Sequence, residues 1–187
     1  MVAYYLKIQN PSFKCKPTNL FLRFVFKKYE KMKTITHLDQ HLIESVIREC
    51  DICFIGMVDK DNIPYVLPMN FGYQDGIVYL HSAQEGRSIE ILQEKPNICI
   101  AFNSKNELVH QHPDVACSYR MRSKSVIAWG KVRFEEDTHE KINALNIIMK
   151  QYSGKPFQYS DPAVKNVKIW CVKLEKITCK EFGAPHK

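Results

Sequence analysis

Residues 63–82 read Ile-Pro-Tyr-Val-Leu-Pro-Met-Asn-Phe-Gly-Tyr-Gln-Asp-Gly-Ile-Val-Tyr-Leu-His-Ser. Two apolar stretches, 63–73 and 77–82, flank Asp75-Gly76. Gly tolerates the positive φ that a tight hairpin turn needs, so the pair predicts antiparallel strands. Upstream, 52–58 (ICFIGMV) is a further apolar stretch, and Asp59 to Asn62 form the polar turn that follows it. Downstream, 97–103 (NICIAFN) reads as a strand and 104–117 as a polar connection. Residues 118–135 form a long strand or pair, with Val126, Ile127, Trp129 and Val132 apolar. In the last strand, Val167 to Thr178, the residues Trp170, Val172 and Leu174 alternate with Lys173 and Glu175.

Helical spacing is sparse. Asp39 caps a helix whose apolar positions are Leu42, Ile43, Val46, Ile47 and Cys50. Gly86 opens a short helix in which Ile89 and Leu92 share a face, and Pro96 stops it. Ile142, Leu145, Ile148, Met149 and Tyr152 mark another. About six strands, few helices and hairpin turns predict a mainly β fold, a closed antiparallel barrel with peripheral helices.

The chain has 187 residues, 45% hydrophobic and 25% charged, enough for one domain with a sizeable core. No apolar run is long enough to cross a bilayer as a helix. The net charge of +7 is concentrated: residues 1–31 hold seven Lys or Arg against one acid, Glu30. The remainder is close to neutral, whereas a phosphate-backbone binder spreads basic residues over a folded face. Nucleic acid and membrane partners are therefore not expected. Residues 1–31 read as a basic N-terminal extension that adds little to the fold, and 32–187 as the domain. The rival reading makes the extension a basic arm for a membrane surface or acidic partner. Seven cysteines, an odd number without a regular framework, sit partly in apolar runs such as Ile98-Cys99-Ile100. Thiols used as small hydrophobes fit a reducing compartment, and the expected location is cytoplasmic.

Entry motifs for dinucleotide-Rossmann, NTPase, α/β-hydrolase and zincin chemistry are missing. Cys50-Asp51-Ile52-Cys53 has redox-pair spacing, but it ends a helix and enters a strand. A low-pKa thiol needs the opposite polarity, so the two read as core thiols. His110, His112 and Cys117 share one loop yet show no standard zinc-ligand spacing, and no metal is expected. The segment 79–92 carries more. A strand ends in His81-Ser82, and a helix begins just after Gly86-Arg87-Ser88. A hydroxyl, a guanidinium and free backbone N–H groups at a helix start suit a phosphate, although Ser and Arg also cap and solubilise ordinary helices.

Taken in order, the residues of 64–71, the Asp-Gly hairpin, 79–83, Gly86-Arg87-Ser88, Lys95-Pro96 and Ser125-Val126-Ile127-Ala128-Trp129-Gly130-Lys131-Val132 resemble a known family. It is that of the pyridoxamine 5′-phosphate oxidase-like flavoproteins, and within them the nitroimidazole-resistance branch. The resemblance spans about residues 33–182. It implies an FMN-binding, Greek-key-like split β-barrel and a homodimer with FMN at the subunit interface. It further implies that Leu67, Pro68, Met69 and Asn70 run beside the ring and ribityl chain, and that His81 and Ser82 close over the flavin. Arg87 and Ser88 would hold the phosphate, and Ser125 would come from the other subunit. His81 is the candidate catalytic group, sited where it could donate a hydrogen bond or proton to a reduced substrate; the rival reading is a satisfied structural His at a strand end. Many relatives carry a second cation where this chain has Ser88. No Arg follows Arg133, which argues against vitamin B6 oxidase activity.

Two functions of different classes follow. The first is an FMN-dependent oxidoreductase that passes electrons from NAD(P)H to a small nitro compound or quinone. The second is a flavin-binding or storage protein without turnover.

Overall fold

The computed structural model describes residues 33–184, so the expected extension over 1–31 lies outside the described residues. The described residues form eight strands and four α-helices, with a short 3-10 turn at Ala116–Ser118: β1 (Lys33–His37), α1 (Gln40–Arg48), β2 (Cys53–Val58), β3 (Pro64–Met69), β4 (Gly72–Gln74), β5 (Ile77–Ala83), α2 (Arg87–Glu94), β6 (Asn97–Val109), β7 (Arg120–Glu135), α3 (Thr138–Tyr152), α4 (Asp161–Lys165) and β8 (Val167–Ala184). All pairings are antiparallel, in the order β3-β2-β6-β7-β8-β5-β4, with β1 added to β8. No ladder joins β3 to β4, the two ends of that path, although they are neighbours in sequence. The result is a mainly antiparallel split β-barrel.

Local chemistry explains most boundaries. Asp39 Oδ1 accepts from Leu42 N–H at 2.8 Å and starts α1. Asp75 (φ 51°) and Gly76 (φ 77°) both take positive φ, as a two-residue hairpin turn between β4 and β5 requires. One face of each strand is apolar and turned inward. Cys53, Ile55 and Met57 on β2 alternate with Phe54 and Val58, which stay exposed. Val126 and Val132 on β7 meet Trp170 and Val172 of β8 in the same core, and Ala128 between them is also buried. β8 is buried on both faces around residue 170. Ile169 and Cys171 lie under α3 against Ala144, while Trp170 fills the barrel.

Three features depart from the sequence reading. The stretch 63–73 is two strands, β3 and β4, broken at Asn70-Phe71. Tyr152 holds the break: its Oη accepts from Phe71 N–H and donates to Asp51 O, both at 2.8 Å. The connection expected over 104–117 is partly strand, because β6 runs on to Val109 after an irregularity between Ser104 and Glu107. Lys105 absorbs it with φ 56°. The last strand runs to Ala184 because β1, which no local pattern announces, pairs with its second half.

The β7–β8 ladder shifts register between Trp129 and Gly130. A Cβ at Gly130 would strike the Lys173 carbonyl oxygen and sit 2.8 Å from Val172 Cγ1. Gly130→Ala should therefore cost about 1–3 kcal/mol, the usual penalty for forced overpacking. Equilibrium denaturation measures it, and a change within a few tenths of a kcal/mol would show that the shift does not depend on this close approach.

Candidate functional site

The turn from β5 into α2 is built as its sequence suggests. Gly86 is the N-cap, with φ 132°, and nothing lies within 4 Å of where a Cβ would stand. Intrahelical bonding begins at Ile89 and Glu90, whose N–H groups donate to Gly86 O. The N–H groups of Arg87 and Ser88 belong to the first turn, which has no intrahelical acceptors, and no side chain caps it. They stand beside an exposed Arg87 side chain. The combination can accept an anion.

Arg87 is not loose. Its Nη2 lies 3.5 Å from Asp59 Oδ2, and its guanidinium sits 5.0 Å from the centre of the Tyr65 ring. Tyr65 and Leu67 share the inward face of β3, paired with Met57 and Ile55, and both pack against the core. Arg87 thus stands over Tyr65 at the Pro64 end of β3, with Leu67 two residues further along the same face. Sequence reasoning missed Asp59 and Tyr65, which lie on other elements and carry no local motif of their own.

The rest of 67–70 divides by strand alternation. Met69 is buried beside Leu67's face, whereas Pro68 and Asn70 are exposed on the outer side. The outer side of β3, β2, β6 and β7 is apolar and open. It carries Val66, Phe54, Val58 and Trp129 among its exposed residues.

His81 and Ser82, adjacent on β5, also project to opposite faces. Ser82 follows Leu80 inward, and its Oγ accepts from Trp170 Nε1 at 3.0 Å and donates to Ala83 O at 2.8 Å. Trp170 was not foreseen as its partner. His81 faces out on the row His81–Ile169–Glu135. Desolvation by the surrounding chain pushes its pKa below the ordinary value and favours the neutral imidazole. In that form it can accept a proton or offer one N–H. The structure does not bring His81 to the face that Ser82 and Leu67 share.

Ser125 stands apart from both groups. It pairs with Asn103 and Lys180 on the outer side of the sheet. Ten residues of β7 separate it from Glu135, which is level with His81, or about 33 Å at 3.3 Å per residue. Pro68 lies three strands away through Phe54, Ala101 and Ile127, about 14 Å before the further offset to Ser125. Within one chain, Ser125 and His81 cannot touch the same small cofactor.

The thiol pair is buried: Cys50 Sγ donates to Val46 O and Cys53 Sγ to Met69 O. Burial raises their pKa values to about 11 and about 12, the opposite of redox activation. His110 stacks on Tyr119 with ring centres 4.7 Å apart, and His112 Nδ1 accepts from Asp114 N–H. Among the described residues the grouping with metal-ligand spacing is Asp137, His139 and Glu140, all exposed at the start of α3. There Asp137 serves as the N-cap. No described helix is long and apolar enough to cross a membrane.

Comparison with known proteins adds the family. The profile described as pyridoxamine 5′-phosphate oxidase matches residues 39–181. A candidate 5-nitroimidazole antibiotic resistance protein from Bacteroides thetaiotaomicron is 51% identical. The match covers 81% of this chain and 89% of that one, with a TM-score of 0.74. A flavocytochrome from Azotobacter vinelandii, 18% identical, matches over 80% of this chain and 70% of its own with a TM-score of 0.69. An FAD-binding protein from Mesorhizobium loti, also 18% identical, matches over 81% and 98% with a TM-score of 0.56. At that identity the last two show the fold alone. No curated protein matches the chain.

The lowered pKa of His81 gives a signed test. Between its folded pKa and the unfolded value of about 6.5, the unfolded chain binds a proton that the folded chain does not. Its contribution to stability is present above that window and is lost as pH falls through it. His81→Gln should therefore lose less stability than the parent between pH 7.5 and pH 5.5 in chemical denaturation. Parallel losses would mean that the imidazole titrates alike in both states.

Proposed function

The chain belongs to the pyridoxamine 5′-phosphate oxidase family, and on that premise we propose that it is an FMN-dependent oxidoreductase. It draws electrons from NAD(P)H and reduces a small acceptor, a nitroimidazole-like nitro compound or a quinone. The observation that carries this reading is the Gly86–Ser88 turn. It combines two backbone N–H groups without helical acceptors, an uncrowded Gly86 and a guanidinium already held over Tyr65. Those donors fit a terminal phosphate, and a single phosphate suits FMN. The 51% identity to a candidate nitroimidazole-resistance protein supports the acceptor class.

When bound, the flavin supplies the electron transfer, and the chain's own residues bind and orient it. Arg87 and Ser88 hold the phosphate. Leu67 offers apolar contact two residues along β3 from Tyr65, whereas Met69 is buried in the core and Pro68 and Asn70 face the outer side. Ser82 is tied to Trp170 and fixes the strand end. His81 faces away from the side that Ser82 and Leu67 share. That position favours a second reading, a flavin carrier without turnover, because the proton donor expected from the sequence does not face the group.

We place Ser125 in the site from a second copy, as the family resemblance implies; its own chain sets it three strands and a two-residue offset from Pro68. The exposed apolar outer face, with Val66, Phe54 and Trp129, gives two copies a surface to bury. We therefore read the working form as a homodimer with FMN between subunits. Its free buried thiols suit the reducing cytoplasm.

The purified protein should carry or take up FMN, bleach anaerobically with NADH or NADPH, and recover its colour on adding a nitroimidazole or quinone. Flavin uptake without bleaching would favour the carrier. Arg87→Ala should weaken FMN binding by about 1.5–3 kcal/mol, the range for hydrogen bonds to charged groups, read by fluorescence quenching. Unchanged affinity would remove Arg87 from the site.

The shared site has its own test. Mixing an Arg87→Ala chain with a Ser125→Asp chain should restore one intact site per heterodimer, because one site collects both defects and the other neither. A monomer that binds one FMN without associating would rule out the shared site.

A further inference from the structure

Asp59 ends the strand β2 region and begins the turn into β3. Its Oδ1 accepts from the N–H groups of Asp61, at 3.0 Å, and Ile63, at 2.8 Å. The carboxylate is therefore fixed by the turn, and its other oxygen faces Arg87. The turn is itself clamped. Lys95, at the far end of α2, donates through Nζ to Asp59 O at 2.8 Å, Lys60 O at 3.3 Å and Asn62 Oδ1 at 2.9 Å. Both ends of α2 thus grip the same four-residue turn, one through Lys95 and one through Arg87.

A free Arg side chain samples many rotamers, and holding it in one costs entropy that a ligand would otherwise have to supply. Here the Asp59 carboxylate and the Tyr65 ring hold it beforehand. A guanidinium has five N–H donors, and the contact with Asp59 leaves others for a ligand. Arg87 itself lines a shallow pocket with Asp59, Lys60, Asp61, Glu90 and Glu94, and Glu90 belongs to the first turn of α2. These carboxylates repel an anion from that pocket, so a phosphate would meet Arg87 through N–H groups not engaged there.

We infer that Asp59 is a positioning residue: it orients Arg87 over Tyr65 and thereby sets how strongly the site prefers a phosphorylated flavin to an unphosphorylated one. The inference rests on the phosphate reading given above. It assigns Asp59 no contact with the flavin.

Asp59→Asn keeps an oxygen for the N–H groups of Asp61 and Ile63 and removes only the charge. With the full-length chain, dissociation constants for FMN and for riboflavin separate the phosphate from the ring. FMN affinity should fall about two- to fivefold, the scale of a partly exposed ion pair, and riboflavin affinity should not move. On an Arg87→Ala background the same substitution should change neither. Tyr65→Leu, which leaves the turn intact, should weaken FMN selectively in the same Arg87-dependent way. Tighter or unchanged FMN binding in Asp59→Asn, with Arg87→Ala still weakening it, overturns the positioning role. So does an equal loss for riboflavin, which would mark a disturbed turn. If Arg87→Ala leaves the FMN-to-riboflavin ratio untouched, the phosphate reading fails first and the role of Asp59 falls with it.

Discussion

The long ladder between β7 and β8 is the constraint on which the other elements depend. The two strands pair from Ser123–Phe182 to Glu135–Ile169, far beyond what either edge of the barrel needs. One end of β8 receives β5 and the other receives β1, so a single strand organises both ends of the sheet. Gly130 makes this possible by letting the backbone of β8 pass where any side chain would collide. The same length carries Ser125 to one end and leaves His81 at the other.

Much of the fold was legible because its signals are local. The Asp39 cap, the Asp75-Gly76 turn and the stop at Pro96 each act within a few residues, and each stands where the sequence places it. The alternation of Trp170, Val172 and Leu174 likewise reads directly as a barrel wall. β1 was not legible. Its five residues have no core pattern of their own and form a strand only because the second half of β8 offers an unpaired edge. The extension of β6 was hidden for a related reason. Polar residues past Ser104 resemble a loop, but the kink at Lys105 carries the strand on to pair with Arg122, Met121 and Arg120.

The candidate site divides in the same way. Gly86, Arg87 and Ser88 are contiguous, and their capacity to accept an anion follows from adjacency to a helix start. Asp59 and Tyr65 reach them from β2 and β3, and a sequence has no means of indicating that contact without the barrel. Alternation corrects the remainder. A run such as Leu67–Asn70, or the pair His81-Ser82, looks like one contact surface on paper, yet successive residues of a strand face opposite sides. Only alternate members can line one crevice.

The buried cysteines have a consequence for durability. Reduced flavins exposed to air generate peroxide, and thiols react with it as thiolates. Cys50 and Cys53, with pKa values near 11 and 12, hold almost no thiolate at neutral pH, and burial also raises those of Cys171 and Cys179. Most of the described sulfur thus sits in the core in a form that peroxide attacks slowly. Among the described cysteines, Cys117 alone is exposed, so oxidative wear would register there while the barrel stayed intact.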